Sequence, residues 1–253
     1  MSIPVQRVGQ RGLPPWLEPH ARVRGLAGLV DVTLLRAEAT AEEIDRLCET
    51  AAEVSAGYVC VNGAWIRHCV RRLRSTATRV VAVVDFPLGA GTTMIKAAEA
   101  RLAVLDGAAE IDMVMPLGLA KGGEWDAVRE DVGVVVGAAN GRPVKVILES
   151  AALTPEEIVR GCEAAAEGGA SFVKTSTGFH PAGGATIAAV RLMRQTVGMS
   201  LGVKASGGIR TLETAVRMLA AGADRIGASN LAMLGKGTTA VSSSLEALLS
   251  SID

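Results

Sequence analysis

Short apolar runs rich in valine and isoleucine alternate along the chain with longer stretches in which apolar residues recur every three or four positions. The runs are "LVDVTLL" (29–35), "YVCVN" (58–62), "RVVAVVDFP" (79–87), "EIDMVMP" (110–116), "VKVILES" (144–150), "FVKTST" (172–177), "LGVKAS" (201–206) and "RIGAS" (225–229). Their length and β-branched content predict eight strands. The stretches between them carry helix start and stop signals. "TAEE" at Thr40–Glu43 and "TPEE" at Thr154–Glu157 read as capping boxes, the second with proline at the first helical position. After Thr40, the apolar residues Ile44, Leu47, Cys48 and Ala51 fall on one helix face. Gly107-Ala108, Gly169-Ala170 and Gly222-Ala223 each lead straight into a strand, as a left-handed glycine C-cap in a tight loop requires.

Strict alternation of strand and helix implies a parallel sheet, and eight such units in 253 residues match a closed (β/α)8 barrel. The competing open sheet needs a glycine-rich dinucleotide turn after its first strand, and "LVDVTLLRAEAT" has none. No linker or shift in composition marks a second domain. The reading is therefore a short N-terminal arm or helix over residues 1–27, with the Pro14-Pro15 pair marking an extended turn, followed by one TIM-barrel domain over 28–253.

Composition narrows the partners. Lys plus Arg equal Asp plus Glu at 26 each, and no long basic run exists, so the chain lacks the electrostatic footprint of a nucleic-acid or acidic-membrane binder. No secretory leader and no apolar run of spanning length is present. The four cysteines, Cys48, Cys60, Cys69 and Cys162, form no C-x-x-C pair and read as reduced core thiols of a cytoplasmic protein. His20, His68 and His180 lack ligand spacing, so no metal is expected.

Two of the apolar strands contain a lysine two residues before a serine: Lys174 with Ser176, and Lys204 with Ser206. Alternate strand residues share a face, so both lysines are expected to point into the barrel near the strand ends where barrel active sites sit. The bland alternative is that they face outward or pair with Asp112 or Glu149. Two close ammonium groups have a specific use. A lysine attacks a carbonyl only as the free amine, and bringing its pKa from about 10.4 to about 7 requires roughly 4 to 5 kcal/mol. A second ammonium at about 5 Å supplies on the order of 3 kcal/mol at an effective dielectric near 20. Partial desolvation can supply the rest. One lysine can thus be a nucleophile for Schiff-base chemistry and the other the cation that keeps it neutral. The two motifs are too alike to say which is which. Asp112, ionisable inside an apolar strand, reads as a general acid/base acting directly or through water, or as a salt-bridge partner of Lys145 or Lys204.

The loops after the last strands suggest an anion site. Gly207-Gly208 follow strand seven, Ser229-Asn230 follow strand eight with "LAML" as the start of a short helix, and Gly178, beside Thr177, follows strand six. Backbone N–H groups of such loops bind phosphate in many barrels.

The ordered set "VDVTLL", "VCVN", "FPLGA", "GAAEIDMV", "WDAVRED", "VKVILES", "FVKTSTGF", "GVKASGGIRT" and "RIGAS", spanning nearly the whole chain from Val30, resembles the deoxyribose-phosphate aldolases, a class I aldolase family on a TIM barrel. The resemblance implies reversible cleavage of 2-deoxy-D-ribose 5-phosphate to D-glyceraldehyde 3-phosphate and acetaldehyde, in deoxyribose phosphate catabolism. By motif match, Lys174 forms the Schiff base, Lys204 lowers its pKa and Asp112 relays protons. Asp31 and Thr33 line the sugar end of the pocket. No cofactor is implied, because the lysine is itself the electron sink, and the relatives are commonly homo-oligomers, dimers or tetramers.

The chain also departs from the pattern. Asn230 stands where some relatives carry a second serine, Val32 replaces a common histidine, and Asp85 stands where glycine or asparagine is common, which places an added carboxylate near the pocket. The tail "LEALLSSID" lacks the tyrosine that certain relatives use to protonate the enamine, so either water serves or that step is slower. Two rival readings follow: a related Schiff-base aldolase acting on another phosphorylated sugar or keto compound, and a barrel that binds sugar phosphates without turnover.

Overall fold

The computed structural model describes residues 14–17, 26–229 and 245–250. All eight expected strands form: β1 (Val30–Leu34), β2 (Tyr58–Val61), β3 (Arg79–Val84), β4 (Glu110–Val114), β5 (Val144–Ile147), β6 (Phe172–Lys174), β7 (Gly202–Ser206) and β8 (Arg225–Ala228). Each is parallel to the next, and β1 pairs with β8, so the sheet closes on itself in chain order. The helices α1 (Ala41–Glu53), α2 (Ile66–Leu73), α3 (Thr93–Leu105), α4 (Leu117–Lys121), α5 (Trp125–Ala138), α6 (Pro155–Glu167), α7 (Ile187–Val197) and α8 (Leu212–Ala221) are the crossovers, and a short helix spans Leu245–Leu249.

Both capping boxes are present: the Thr40 N–H donates to Glu43 and the Glu43 N–H to the Thr40 hydroxyl, with the same reciprocal pair at Thr154 and Glu157. The three Gly-Ala stops also hold. Gly107, Gly169 and Gly222 have φ of 102°, 82° and 129°, and the N–H of the following alanine reaches back five residues, to Ala103, Ala165 and Met218. Each helix is thus sealed at its C-terminus while the chain turns directly into a strand.

Several strands end earlier than their apolar runs. β3 stops at Val84 because Asp85 turns to φ 50°, and β5 stops at Ile147 because Glu149 is left-handed at φ 58°. The remaining residues of those runs build the βα loops, where the site lies. On the opposite side, the 3-10 turn Leu26–Leu29 enters β1 with Leu26, Ala27 and Leu29 buried, and its Ala27 carbonyl accepts the Gly57 N–H. The expected division at 27/28 falls inside this turn. Earlier in the chain, Leu17 is buried and the Trp16 indole donates to the Leu219 carbonyl.

The main core occupies the annulus between strands and helices and is built of Ala, Val, Leu and Ile. A second, smaller cluster comprises Leu35, Cys60, Val81 and Val83, flanked by Tyr58 and Phe86. By strand alternation these face the barrel axis, and they cover only the β2–β3 side. Branched apolar residues usually fill such an interior. Here charged side chains of β1 and β4–β8 line much of the rest of the axis.

Candidate active site

Alternation places Asp31, Glu110, Asp112, Lys145, Lys174, Lys204 and Arg225 on the axial face of β1 and β4–β8, and all are buried. The register sets Lys174 directly beside Lys204. Asp112 is the hub: its Oδ2 accepts from the Lys174 ammonium at 2.7 Å and from the Lys204 ammonium at 2.8 Å, while its Oδ1 accepts from Lys145 at 2.8 Å. The two strand-end lysines therefore meet on a single oxygen. Lys204 also donates to Asp31, and Gly227 makes room for it, since a Cβ there would lie 3.3 Å from the Lys204 Cε. Deeper in the barrel, Lys145 contacts Glu110 at 2.6 Å and Arg225 holds both Glu110 oxygens, while the Arg225 guanidinium lies 3.7 Å from the centre of the Tyr58 ring. Arg225 also approaches Asp31 at 3.4 Å.

This network holds four cations and three carboxylates, so it is balanced when one lysine is neutral. Among its lysines, Lys174 is the one whose pKa is lowered. Burial pulls its pKa below the ordinary lysine value, and Lys204 adds to the effect against the pull of Asp112. Burial acts on Lys204 too, but Asp112 and Asp31 outweigh it and hold this ammonium above its usual range. Burial raises Asp112, and the three lysines overcome that and keep it well below the usual carboxylate range. Asp31 is likewise lowered, with Arg225, Lys204 and Lys145 outweighing its burial. Burial thus contributes more to the depressed Lys174 than its cationic neighbour does, which reverses the weighting expected from the sequence.

The structure gathers Lys174, Lys204, Asp112 and Asp31 into one cluster, and the ion-pair alternative for the lysines and Asp112 is met alongside it. Thr33 lies on the Asp31 side of β1, and its hydroxyl donates to the Asp31 carbonyl at 3.0 Å. Gly178, Gly207 and Gly208 all have positive φ, and a Cβ on Gly207 would crowd Gly184, Ser176 and Gly178. The loops after β6 and β7 are thus packed backbone on backbone. Ser229 is exposed just beyond β8, while Asn230 and the "LAML" segment lie outside the described residues. Thr177 directs both its N–H and its hydroxyl to the buried carboxylate of Glu149. Above the apolar wall, Phe86 and Phe179 meet edge to face at 5.2 Å.

Asp85 directly follows β3, where it accepts the Gly91 N–H at 2.8 Å and lies 3.6 Å from the buried Lys96 ammonium, which is itself bound by Asp131. His180 Nδ1 accepts the Ala182 N–H within its own loop. Glu110, Arg225 and Gly227 are the members of the site that reading the motifs missed. Their signal was present in "EIDMV" and "RIGA", where alternation puts a second inward charge two residues from the first, or a glycine where Lys204 must pass. Among the described residues, no group of three His, Cys, Asp or Glu side chains is placed to hold a metal, and no helix is long and apolar enough to cross a membrane.

Comparison with known proteins shows likeness along most of the chain. A profile of the DeoC/LacD family aldolases matches residues 27–235. A deoxyribose-phosphate aldolase of Mannheimia succiniciproducens is 52% identical over 204 residues, covering 81% of this chain and 91% of the relative. One from Lysinibacillus sphaericus is 50% identical over 82% of this chain and 93% of its own. Among solved structures, the tetrameric deoxyribose phosphate aldolase of Aeropyrum pernix superposes with a TM-score of 0.76 at 30% identity, covering 88% of this chain and 90% of that one.

Proposed function

The chain belongs to the DeoC/LacD family of aldolases, and from that membership we propose that it cleaves 2-deoxy-D-ribose 5-phosphate reversibly to acetaldehyde and D-glyceraldehyde 3-phosphate through a Schiff base on Lys174. The observation that carries the reading is the shared Asp112 oxygen, on which two ammonium groups meet with opposite pKa shifts. Of this pair, Lys174 is the one whose pKa is lowered, which is the property of a nucleophilic amine. Lys204 stays charged.

In this mechanism the Lys174 amine adds to the C1 aldehyde of the open-chain sugar, and loss of water leaves a protonated imine. A base takes the C3 hydroxyl proton, the C2–C3 bond breaks, and its electron pair moves to the iminium nitrogen. Glyceraldehyde 3-phosphate leaves. The enamine is protonated at carbon, and water then releases acetaldehyde and the free lysine. Asp112, in contact with the Nζ of all three lysines, receives and returns protons directly or through water. Asp31 holds Lys204 in place. Thr33 lies beside it on the sugar side. The phosphate end faces the loops of Thr177-Gly178 and Gly207-Gly208 and the residue after β8, Ser229; Asn230, the other expected donor, lies outside the described residues. The Gly178, Gly207 and Gly208 N–H groups make no hydrogen bond among the described residues. Such donors suit an anion. No cofactor enters this scheme.

Incubation with deoxyribose 5-phosphate and borohydride, followed by peptide mass mapping, tests the reading. A reduced adduct on Lys174 is expected. An adduct on Lys204 would exchange the two roles, and absence of both adduct and acetaldehyde would remove this substrate in favour of another sugar phosphate.

The same reading includes a cytoplasmic homo-oligomer. Its support is α3, whose Met94, Ile95, Leu102 and Leu105 are 61 to 73% exposed on one face, a stripe that a second copy can cover. Sedimentation of the wild type against Leu102→Glu measures this, with dissociation expected in the variant.

A further inference from the structure

Glu149 is a buried carboxylate that the chemistry above does not use. It follows β5 in a left-handed conformation, φ 58° and ψ 52°, which is uncommon for a residue with a side chain. Its neighbours pin it on both sides. The Leu148 N–H donates to the Lys174 carbonyl at 2.9 Å, and the Ser150 N–H donates to the Thr175 carbonyl at 2.8 Å. The chain thus reverses at Glu149 while remaining attached to the strand that bears the Schiff-base lysine.

The carboxylate accepts the Thr177 N–H at 3.2 and 3.3 Å, and the Thr177 hydroxyl as well. With its proton given to Glu149, the Thr177 oxygen accepts the Phe179 N–H at 3.1 Å. Gly178, at φ 84°, is bracketed by these contacts and rests against Gly207. One buried acceptor therefore sets the path of the loop after β6 and, through glycine contact, its seat on the loop after β7. Both Thr177 donors are committed to Glu149, while the adjacent Gly178 N–H has no partner among the described residues.

We propose that Glu149 is the positioning residue of the phosphate-binding loops: it orders Thr177 so that Gly178, Gly207 and Gly208 aim their N–H groups at the phosphate of the substrate. This rests on the proposed aldolase function but concerns a different part of the substrate from the chemistry. Removing the carboxylate should loosen recognition of the phosphate and spare the reaction at C1.

The test compares wild type, Glu149→Ala, Glu149→Gln and Thr177→Val with 2-deoxyribose 5-phosphate and with unphosphorylated 2-deoxyribose, alongside borohydride trapping of acetaldehyde. For Glu149→Ala, kcat/KM for the phosphorylated sugar should fall about tenfold, mainly through KM, while the unphosphorylated sugar changes less than about twofold. Acetaldehyde trapping on Lys174 should be retained. Glu149→Gln keeps one acceptor oxygen and should lie between. If both sugars lose equally, or KM does not move, the positioning role is wrong. A wild type that cleaves neither sugar and traps nothing would overturn the aldolase reading itself, and this role with it. Melting curves identify a variant that fails to fold, in which case Thr177→Val breaks the same contact from the other side and must show the same preference for lost phosphate recognition.

Discussion

The ends of β6 and β7 carry nearly the same words, "VKTS" and "VKAS", side by side in register, yet their lysines live in opposite electrostatic states. Lys174 has one carboxylate within reach, shared with two other ammonium groups. Lys204 has two, Asp112 and Asp31, because β1 closes the barrel next to β8 and brings Asp31 across the gap left by Gly227. Equal burial therefore lowers one pKa and fails to lower the other. Nearly identical local sequence does not confer the same electrostatics. The difference is a count of anions per cation, and the barrel's closure sets that count.

The largest way to break this comparison is to delete the lysine proposed as the nucleophile. Lys174→Leu should lose covalent trapping and drop cleavage by at least about a thousandfold, because it removes the proposed nucleophile, a buried amine with a lowered pKa. Intact mass after borohydride reduction checks it. Lys204→Leu comes next. Without the neighbouring ammonium, Lys174 keeps Asp112 and its pKa rises, so trapping near neutral pH should slow on the order of a hundredfold, from about 3 kcal/mol of lost repulsion. The loss should shrink as pH increases, and a pH profile that keeps its wild-type shape would show that Lys204 does something else.

Asp112→Asn sharpens the comparison from the anionic side. It leaves Lys145, Lys174 and Lys204 sharing fewer carboxylates in the interior, at a cost of about 3 to 5 kcal/mol for a broken buried pair. Denaturant unfolding should show it. Gly227→Ala should act more gently: its methyl would press on Lys204 Cε at 3.3 Å and on Ser206 Cβ at 2.8 Å, reducing kcat a few fold with Lys174 trapping intact.

The smallest effect is on stability against pH. Because Lys174 has a lowered pKa in the folded state, the unfolded chain binds that proton more readily. Its contribution is fully present above the ordinary lysine value of about 10.4 and is lost as pH falls through the lowered one. Lys174→Met should flatten that slope in melting experiments across the alkaline range.

Much of this was legible beforehand because the signals are local. The capping boxes, the Gly-Ala stops and the eight β-branched runs depend on contacts within a few residues, so they survive being read one at a time. Lys174, Lys204 and Asp112 could be picked out because a charge inside an apolar strand is costly to bury and stands out. Glu110, Arg225 and Gly227 were passed over because each looks ordinary until its neighbour from a distant strand is known. Asp85 could be marked as an added carboxylate near the strand end, but its turn at φ 50° and its partner Lys96 depend on a helix that the motif does not contain.

The sequence by itself determined the repeating strand-helix plan, the closed barrel and the presence of inward-facing lysines, since periodicity and capping act over short distances. Only the tertiary structure decided which lysine is depleted of anions and which is saturated with them. Asp31 and Lys204 are separated by 173 positions and meet only because β1 and β8 close the ring, and a pKa depends on such distances in space rather than along the chain.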